Sequence, residues 1–207
     1  FGLRVAHQGL VLTPPTDVEL LELVPLVGEP GGIVAPGDEG RFLGRDPDLA
    51  PEDAVDAFLR HQWRLRERPT PARWRAPFAV VTGGRVIGIV VLAHETDHEP
   101  GRVSTWSWLA RAEQGRGLGR HVRLMVLELA FAHLGATLAT TSANEHNAAS
   151  RRVSARCGYR ETHRGSDPWG VEVHAAVTPA AWRRRRLPDV EVDGVDAFRA
   201  AIAGAGR

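Results

Sequence analysis

The run Gln114-Gly-Arg-Gly-Leu-Gly119 sets the tightest limit on what this chain can fold into. It follows Arg102 to Leu109, where Val103, Thr105, Ser107 and Leu109 alternate with Trp106 and Trp108, the period-two pattern of a β-strand. It precedes a stretch to about Leu134 that places Val122, Met125, Val126, Leu129 and Ala130 on one helical face, with Gly135 as the stop. A strand that feeds a helix through glycines exposes successive backbone N–H groups without Cβ obstruction. The helix N-terminus adds partial positive charge, and the two together suit phosphate oxygens. The spacing is not G-x-G-x-x-G, and all 26 basic residues are arginine, so neither a dinucleotide fingerprint nor a P-loop is present. Taken alone, such a glycine run also serves as a plain structural turn.

The rest of the chain reads as mixed α and β. Residues 3 to 13 suggest one strand, ending at Pro14-Pro15. Thr16 or Asp17 caps a helix over Val18 to Val27, and Pro51-Glu52-Asp53 opens another to about Glu67. Between them, 28 to 50 are rich in Gly and Pro and read as a long loop of the kind that often binds substrate. Pro69 to Pro77 reads as a connector. Phe78 to Thr82 and Arg85 to Ala93 form a hairpin about Gly83-Gly84. After the glycine-run helix come a strand, Ala136 to Ser142, a helix, Asn147 to Cys157, and two strands near Tyr159 to Arg164 and Val171 to Val177. This makes one domain over residues 1–178. Residues 179–207 form an extension with a basic run, Arg183 to Arg186, a short strand at Val190 to Val192 and a short helix at Ala197 to Ala203.

Composition removes several classes. Twenty-six basic residues against 25 acidic give a net charge of +1, so bulk charge does not hold this chain to nucleic acid or to a lipid surface. The longest apolar stretch, Val86 to Ala93, is far short of the roughly 20 residues of a membrane span. One cysteine, Cys157, excludes an internal disulfide framework and a cysteine-rich zinc site, and fits a reducing, cytoplasmic compartment.

A further informative segment reads S-A-N-E-H-N-A-A-S-R-R-V-S-A-R-C-G-Y-R, from Ser142 to Arg160. The two segments, in this order and on these elements, resemble the GNAT-type N-acetyltransferases of bacteria. The glycine run is similar to their Q-x-x-G-x-G pyrophosphate loop. The later segment resembles their Asn, Ser-bearing helix and Gly-Tyr strand start. Trp-x-Trp-Leu before the loop and Asn147-x-x-Ser150 after it are similar to the RimJ/RimL branch. The likeness is clear over about 78 to 178 and looser before that.

The resemblance implies an α/β fold of the GNAT type, with a central, mostly antiparallel sheet splayed at an acetyl-CoA site and flanked by helices. It implies acetyl-CoA as cosubstrate and no metal. Leu109, Ala110 and Arg111 would pair through their backbone with the pantetheine arm. Gln114, Gly115, Arg116, Gly117, Leu118, Gly119 and Arg120 would hold the pyrophosphate. Asn144 or Asn147 would bond the pantetheine arm, and Ser150 would protonate the leaving thiolate. Tyr159 reads as mainly core. The acceptor would be an amine, on a small molecule or a protein N-terminus. Dimers are common among such relatives.

The chemistry limits the remaining roles. Direct attack of an amine on a thioester needs orientation, an oxyanion donor, a proton route and an acid. An α-amine of pKa about 7.7–8.0 is partly free at neutral pH, whereas a lysine-like amine near 10.4 costs about 4.6 kcal/mol to deprotonate at pH 7. Candidate bases lie in H-E-T-D-H-E: Glu95 and Asp97, beside His94 and His98. Glu145 and His146 are others. Trp106 stands where many relatives carry a small residue, which reshapes an acceptor pocket. Two rival readings are an acyl-CoA-binding module without catalysis and a zinc protease built on His94-Glu95-x-x-His98. The protease reading requires a helix, and the flanks of this segment read as strand and turn. Arg183 to Arg186 would suit an acidic macromolecular partner.

Overall fold

The computed structural model describes residues 2–29, 31–33, 51–95, 99–167 and 170–204. Their strands are β1 (Arg4–His7), β2 (Leu10–Thr13), β3 (Trp74–Thr82), β4 (Arg85–His94), β5 (Arg102–Leu109), β6 (Leu138–Asn144), β7 (Arg160–Asp167), β8 (Gly170–Val177) and β9 (Glu191–Asp193). They form one sheet in the order β7-β8-β6-β5-β4-β3-β2-β1-β9. Every pairing is antiparallel except β5 with β6. The helices are α1 (Asp17–Gly28), α2 (Pro51–Arg64), α3 (Leu118–Glu128), α4 (Ala148–Cys157), α5 (Pro179–Arg183) and α6 (Val195–Ile202).

The alternation read in Arg102 to Leu109 divides the core. Val103 and Leu109 bury against Val122, Met125 and Val126 of α3, on the face that also takes Tyr159, Trp182 and Phe198. Trp106 and Trp108 join Ile89 and Val91 against Leu20 and Leu23 of α1 and Phe58 of α2. The sheet is therefore covered on both faces over its middle strands, as a two-sided core requires.

Three local differences from the sequence expectations have physical causes. Residues 3 to 13 form two strands, because Gln8 (φ 47°) and Gly9 (φ 80°) turn the chain back on itself. The connector before the hairpin is shorter, since β3 already begins at Trp74 and contains Pro77. Thr13 pairs with Ala79 where β2 ends, so Pro77 lacks a neighbour on that edge. Its missing N–H points there and costs no ladder bond. The α3 helix loosens into a π-helical turn over Leu129–His133 before Gly135 stops it.

The 179–207 segment packs back onto the sheet. β9 pairs with β1, and Phe198 buries with its ring 5.4 Å from Trp74, edge to face. Arg186 of the basic run holds the buried Glu128 carboxylate at 2.8 and 2.5 Å. That arginine is thus used inside the fold.

Candidate active site

The parallel strands β5 and β6 pair only at Arg102–Leu138, Val103–Ala139 and Ser104–Thr140. Beyond those pairs the strands part, and a cleft opens toward the glycine run. The Ala110 N–H donates to Ile87 O on β4 at 2.7 Å. Alternate residues of a strand direct their polar groups to opposite edges. Trp108 and Trp106 therefore face β4, while the amides of Ser107 and Leu109 face the cleft. Both amides are directed toward whatever lies in the cleft.

At the wide end of the cleft, a 3₁₀ turn over Arg111–Glu113 leads into the glycine run. Gly115 (φ 76°) and Gly117 (φ 83°) adopt left-handed conformations, and an added Cβ at either would meet no atom within 4 Å. The space beside both glycines is open. Gly117 begins α3 without a side-chain cap, so the first N–H groups of the helix have no partner from a cap. Arg120 makes no ion pair among the described residues, and Arg116 bonds the buried Glu113 at 2.5 Å. Gln114 is engaged elsewhere: its Nε2 donates to Ile33 O at 2.7 Å and Leu109 O at 2.9 Å, fastening the loop to the end of β5. The remaining groups, with their glycines and helix N-terminus, fit a pyrophosphate.

On the other side of the cleft stands the start of α4. The Asn147 Oδ1 accepts from the Ser150 N–H at 2.9 Å, which caps the helix and leaves Asn147 Nδ2 as a donor. The Ser150 hydroxyl has no hydrogen-bond partner among the described residues. Asn144 ends β6, and its Oδ1 accepts from the His146 N–H at 3.0 Å.

The face of the sheet away from α3 carries a cavity of about 330 Å³ over the same parting strands. Ser104, Trp106, Thr140, Ser142, His163 and His174 line it. Ser142 Oγ donates to Glu172 Oε1 at 2.6 Å, and Glu172 Oε2 lies 3.2 Å from His174 Nε2. The rings of His174 and His163 stack in parallel at 4.2 Å. This carboxylate–imidazole group escaped the sequence reading, since its members come from β6, β7 and β8 and share no motif. Period-two spacing of Glu172 and His174 is the one signal that places them on a common face.

The strand-end candidate Glu95 stands opposite Arg102, at the closed end of this cavity. Glu95 bonds Arg75 Nε at 2.6 Å, just past β4. Gly88 of β4 faces Leu109, so Glu95 stands seven residues, roughly 23 Å, from that end of the cleft. His94 is buried in β4, its Nδ1 2.7 Å from Arg102 O. The H-E-x-x-H pattern thus begins on a strand. Asp97 and His98 lie outside the described residues. Among the described residues no group of three or more His, Cys, Asp or Glu is arranged to hold a metal, and no helix is long and apolar enough to cross a membrane.

Behind the cleft the buried polar groups form one network. Arg123 of α3, 2% exposed, donates to Thr105 Oγ1 (3.2 Å), Thr141 Oγ1 (3.1 Å) and Ser107 Oγ (3.0 Å). The Tyr159 hydroxyl meets Thr105 Oγ1 at 2.9 Å, and burial raises its pKa although Arg123 opposes the shift. Tyr159 is thus a core residue, as read. Burial also pushes the Cys157 thiol up to about 11. Arg123 was missed by the sequence reading. The hydroxyls of Thr105 and Ser107, on a face otherwise built of Val103 and Leu109, are the signal that a polar group must answer them.

A family model described as an acetyltransferase (GNAT) domain matches residues 10–160. Among solved structures the chain is similar to RimJ of Mycobacterium smegmatis in complex with CoA-disulfide, at 19% identity over 88% of this chain and 90% of that one, TM-score 0.67. It is similar to the aminoglycoside acetyltransferase AAC(6')-Ib in complex with coenzyme A, at 18% identity over 84% and 98%, TM-score 0.63. An acetyltransferase (GNAT family) from Bacillus anthracis aligns at 11% identity over 84% and 98%, TM-score 0.65. At these identities the structural likeness is one of fold.

Proposed function

Because this chain belongs to the GNAT acetyltransferase family and uses acetyl-CoA, we propose that it transfers the acetyl group directly to a primary amine while both substrates are bound. The observation that carries this reading is the parting of β5 from β6, with a phosphate-fitting helix start at one end and the 330 Å³ cavity on the opposite face. Acetyl-CoA supplies the acyl group as a thioester. Gly115 to Arg120 hold its pyrophosphate, and Asn147 Nδ2 orients the pantetheine arm beside Leu109, whereas the Ala110 and Arg111 amides are already bonded to Ile87 O and Gly32 O. Asn144, tied to the His146 N–H, shapes the turn that brings Asn147 there.

The chain's own groups supply the rest. One of the Ser107 and Leu109 amides receives negative charge on the acyl oxygen. Ser150 gives a proton to the departing sulfur. We assign the base to His174, which lines the cavity, with Glu172 beside its imidazole, rather than to Glu95, whose carboxylate is paired with Arg75. The stacked His163 continues the line of imidazoles away from the pair. Trp106 forms one wall of the cavity and limits the acceptor's shape. The acceptor is a small-molecule amine or a protein N-terminus, and a carboxylate beside the cavity favours a cationic one.

The test is free-thiol release from acetyl-CoA with a panel of an aminoglycoside, a polyamine, amino acids and N-terminal peptides. Turnover with any member supports the reading. Tight acetyl-CoA binding with no turnover across the panel would favour a module that binds acyl-CoA without catalysis.

A further inference from the structure

Arg123 is a buried cation held by hydroxyls and by the face of the Tyr159 ring, 5.9 Å from its guanidinium carbon. Its three bonds go to Thr105, Thr141 and Ser107, and no carboxylate pairs with it among the described residues. Its Nε is buried with no partner. Burying a charge without a counter-charge is costly, so such a group is retained where negative charge arrives. The location narrows what that charge is. Thr105 and Thr141 are the first residues past the last β5–β6 pair, so the guanidinium sits at the apex of the cleft, on its α3 side. Ser107, whose Oγ takes the third bond, is one of the two residues whose amides face the cleft.

We propose that Arg123 is the counter-charge for the thiolate of coenzyme A, held at the closed end of the cleft to stabilise the leaving group. This rests on the acetyltransferase reading above. In the transfer, the acceptor nitrogen bonds to the carbonyl carbon and the carbon–sulfur bond breaks. Its electron pair goes to sulfur, the amine proton goes to the base, and the sulfur then takes a proton from the acid. A fixed cation that meets no anion among the described residues would lower the barrier to the departing pair without prior rearrangement. The titratable and charged groups around this point include Tyr159, Cys157, Arg120 and Arg185 on the α3 side and Glu172 and His174 across the sheet. Of these three arginines, Arg123 bonds Thr105, Thr141 and Ser107 on the parting strands.

The chain provides an unusually clean readout. It has one cysteine and one tyrosine, and burial raises both above their ordinary values, the cysteine to about 11. Ultraviolet thiolate absorbance that develops at lower pH in the CoA complex therefore belongs to CoA. The experiment titrates CoA bound to the unchanged protein, free CoA in the same buffer, and CoA bound to R123Q and R123K. The thiol bound to the unchanged protein should titrate about 1–3 units below free CoA, the range an adjacent opposite charge produces. R123Q should return it toward the free value, and R123K should keep part of the shift. A bound thiol that titrates no lower than free CoA overturns the proposal, and this arm needs no variant to fold. An equal shift in a folded R123Q also overturns it, leaving Arg123 as a structural cross-link. Failure of CoA to bind the unchanged protein, read by calorimetry, would instead remove the acetyl-CoA site itself and this proposal with it.

Discussion

The carbonyl oxygen of Trp108 lies 2.2 Å from where a Cβ on Gly88 would be, with Leu109 Cα only 2.8 Å from the same point. Two strands meet this closely just where β5 turns its Ser107 and Leu109 amides into the cleft. Gly88→Ala should therefore cost about 1–3 kcal/mol of stability by overpacking and also move the oxyanion donors. Urea unfolding would give the first effect. Steady-state kinetics would show a lower kcat in the protein that remains folded. An alanine variant with unchanged stability would mean that β4 slides to make room.

Gly117→Glu places a side chain at φ 83° and a negative charge in the phosphate cradle. The backbone strain alone costs about 1–2 kcal/mol. Acetyl-CoA binding, measured by calorimetry, should fall below detection while the sheet stays folded by circular dichroism. Retained affinity would move the phosphate site away from the start of α3.

Ser150→Ala should lower kcat by about 10²-fold, the lower end for loss of a general acid, with acetyl-CoA affinity unchanged. The Asn147 cap bonds the backbone N–H of residue 150, so the helix start survives the substitution. Equal turnover would release Ser150 from the acid role.

Glu172→Gln should discriminate between acceptors. A lysine-like amine needs a base far more than an α-amine that is partly free at neutral pH. The loss in kcat/KM should therefore be greater for the amine of higher pKa. Equal losses for both would point to a packing role through Ser142, which the glutamine oxygen can still accept from.

Burial, then His7 and Arg120, hold His121 below its ordinary 6.5. His121 and His7 meet nitrogen to nitrogen across α3 and β1. The folded protein thus binds that proton less readily than the unfolded chain. The resulting stability is fully present above about 6.5 and is lost as pH falls through the depressed value. Urea unfolding at about pH 7 and pH 5 should show a smaller drop for H121Q than for the unchanged protein. An identical drop would assign the acid sensitivity to other groups, His61 among them, since burial lowers it too.

The cofactor half of the site was legible because it is local. Strand, glycine turn and helix are contiguous, and the backbone conformations of Gly115 and Gly117 are written in their residue type. The same holds for Asn147 and Ser150, a cap and its first turn. Arg123 and Glu172 were not legible in this way, because each gains its role from strands brought together across the sheet. The Glu95 segment was legible only in part. Its acidic, histidine-rich composition suggests chemistry, but the bond from Arg75 to Glu95 depends on the β3–β4 register, which composition does not give. The β1–β2 turn was overlooked because Gln8 is not a residue type that announces positive φ, and the β3 start because Pro77 reads as a breaker unless its free edge is known.

The pairing of β1 with β9 joins residues 189 apart, with Arg4 bonded to both Glu191 and Asp193. The β3–β4–β5 meander and the helices can form from near neighbours, while this outermost ladder cannot form until residue 193 has left the ribosome. During synthesis the outer edge of β1 is therefore an open template, available to other nascent chains, until β9 closes it. A ribosome-stalled chain ending before Glu191 would carry a cleft built largely of finished parts on a sheet still prone to pair with its neighbours.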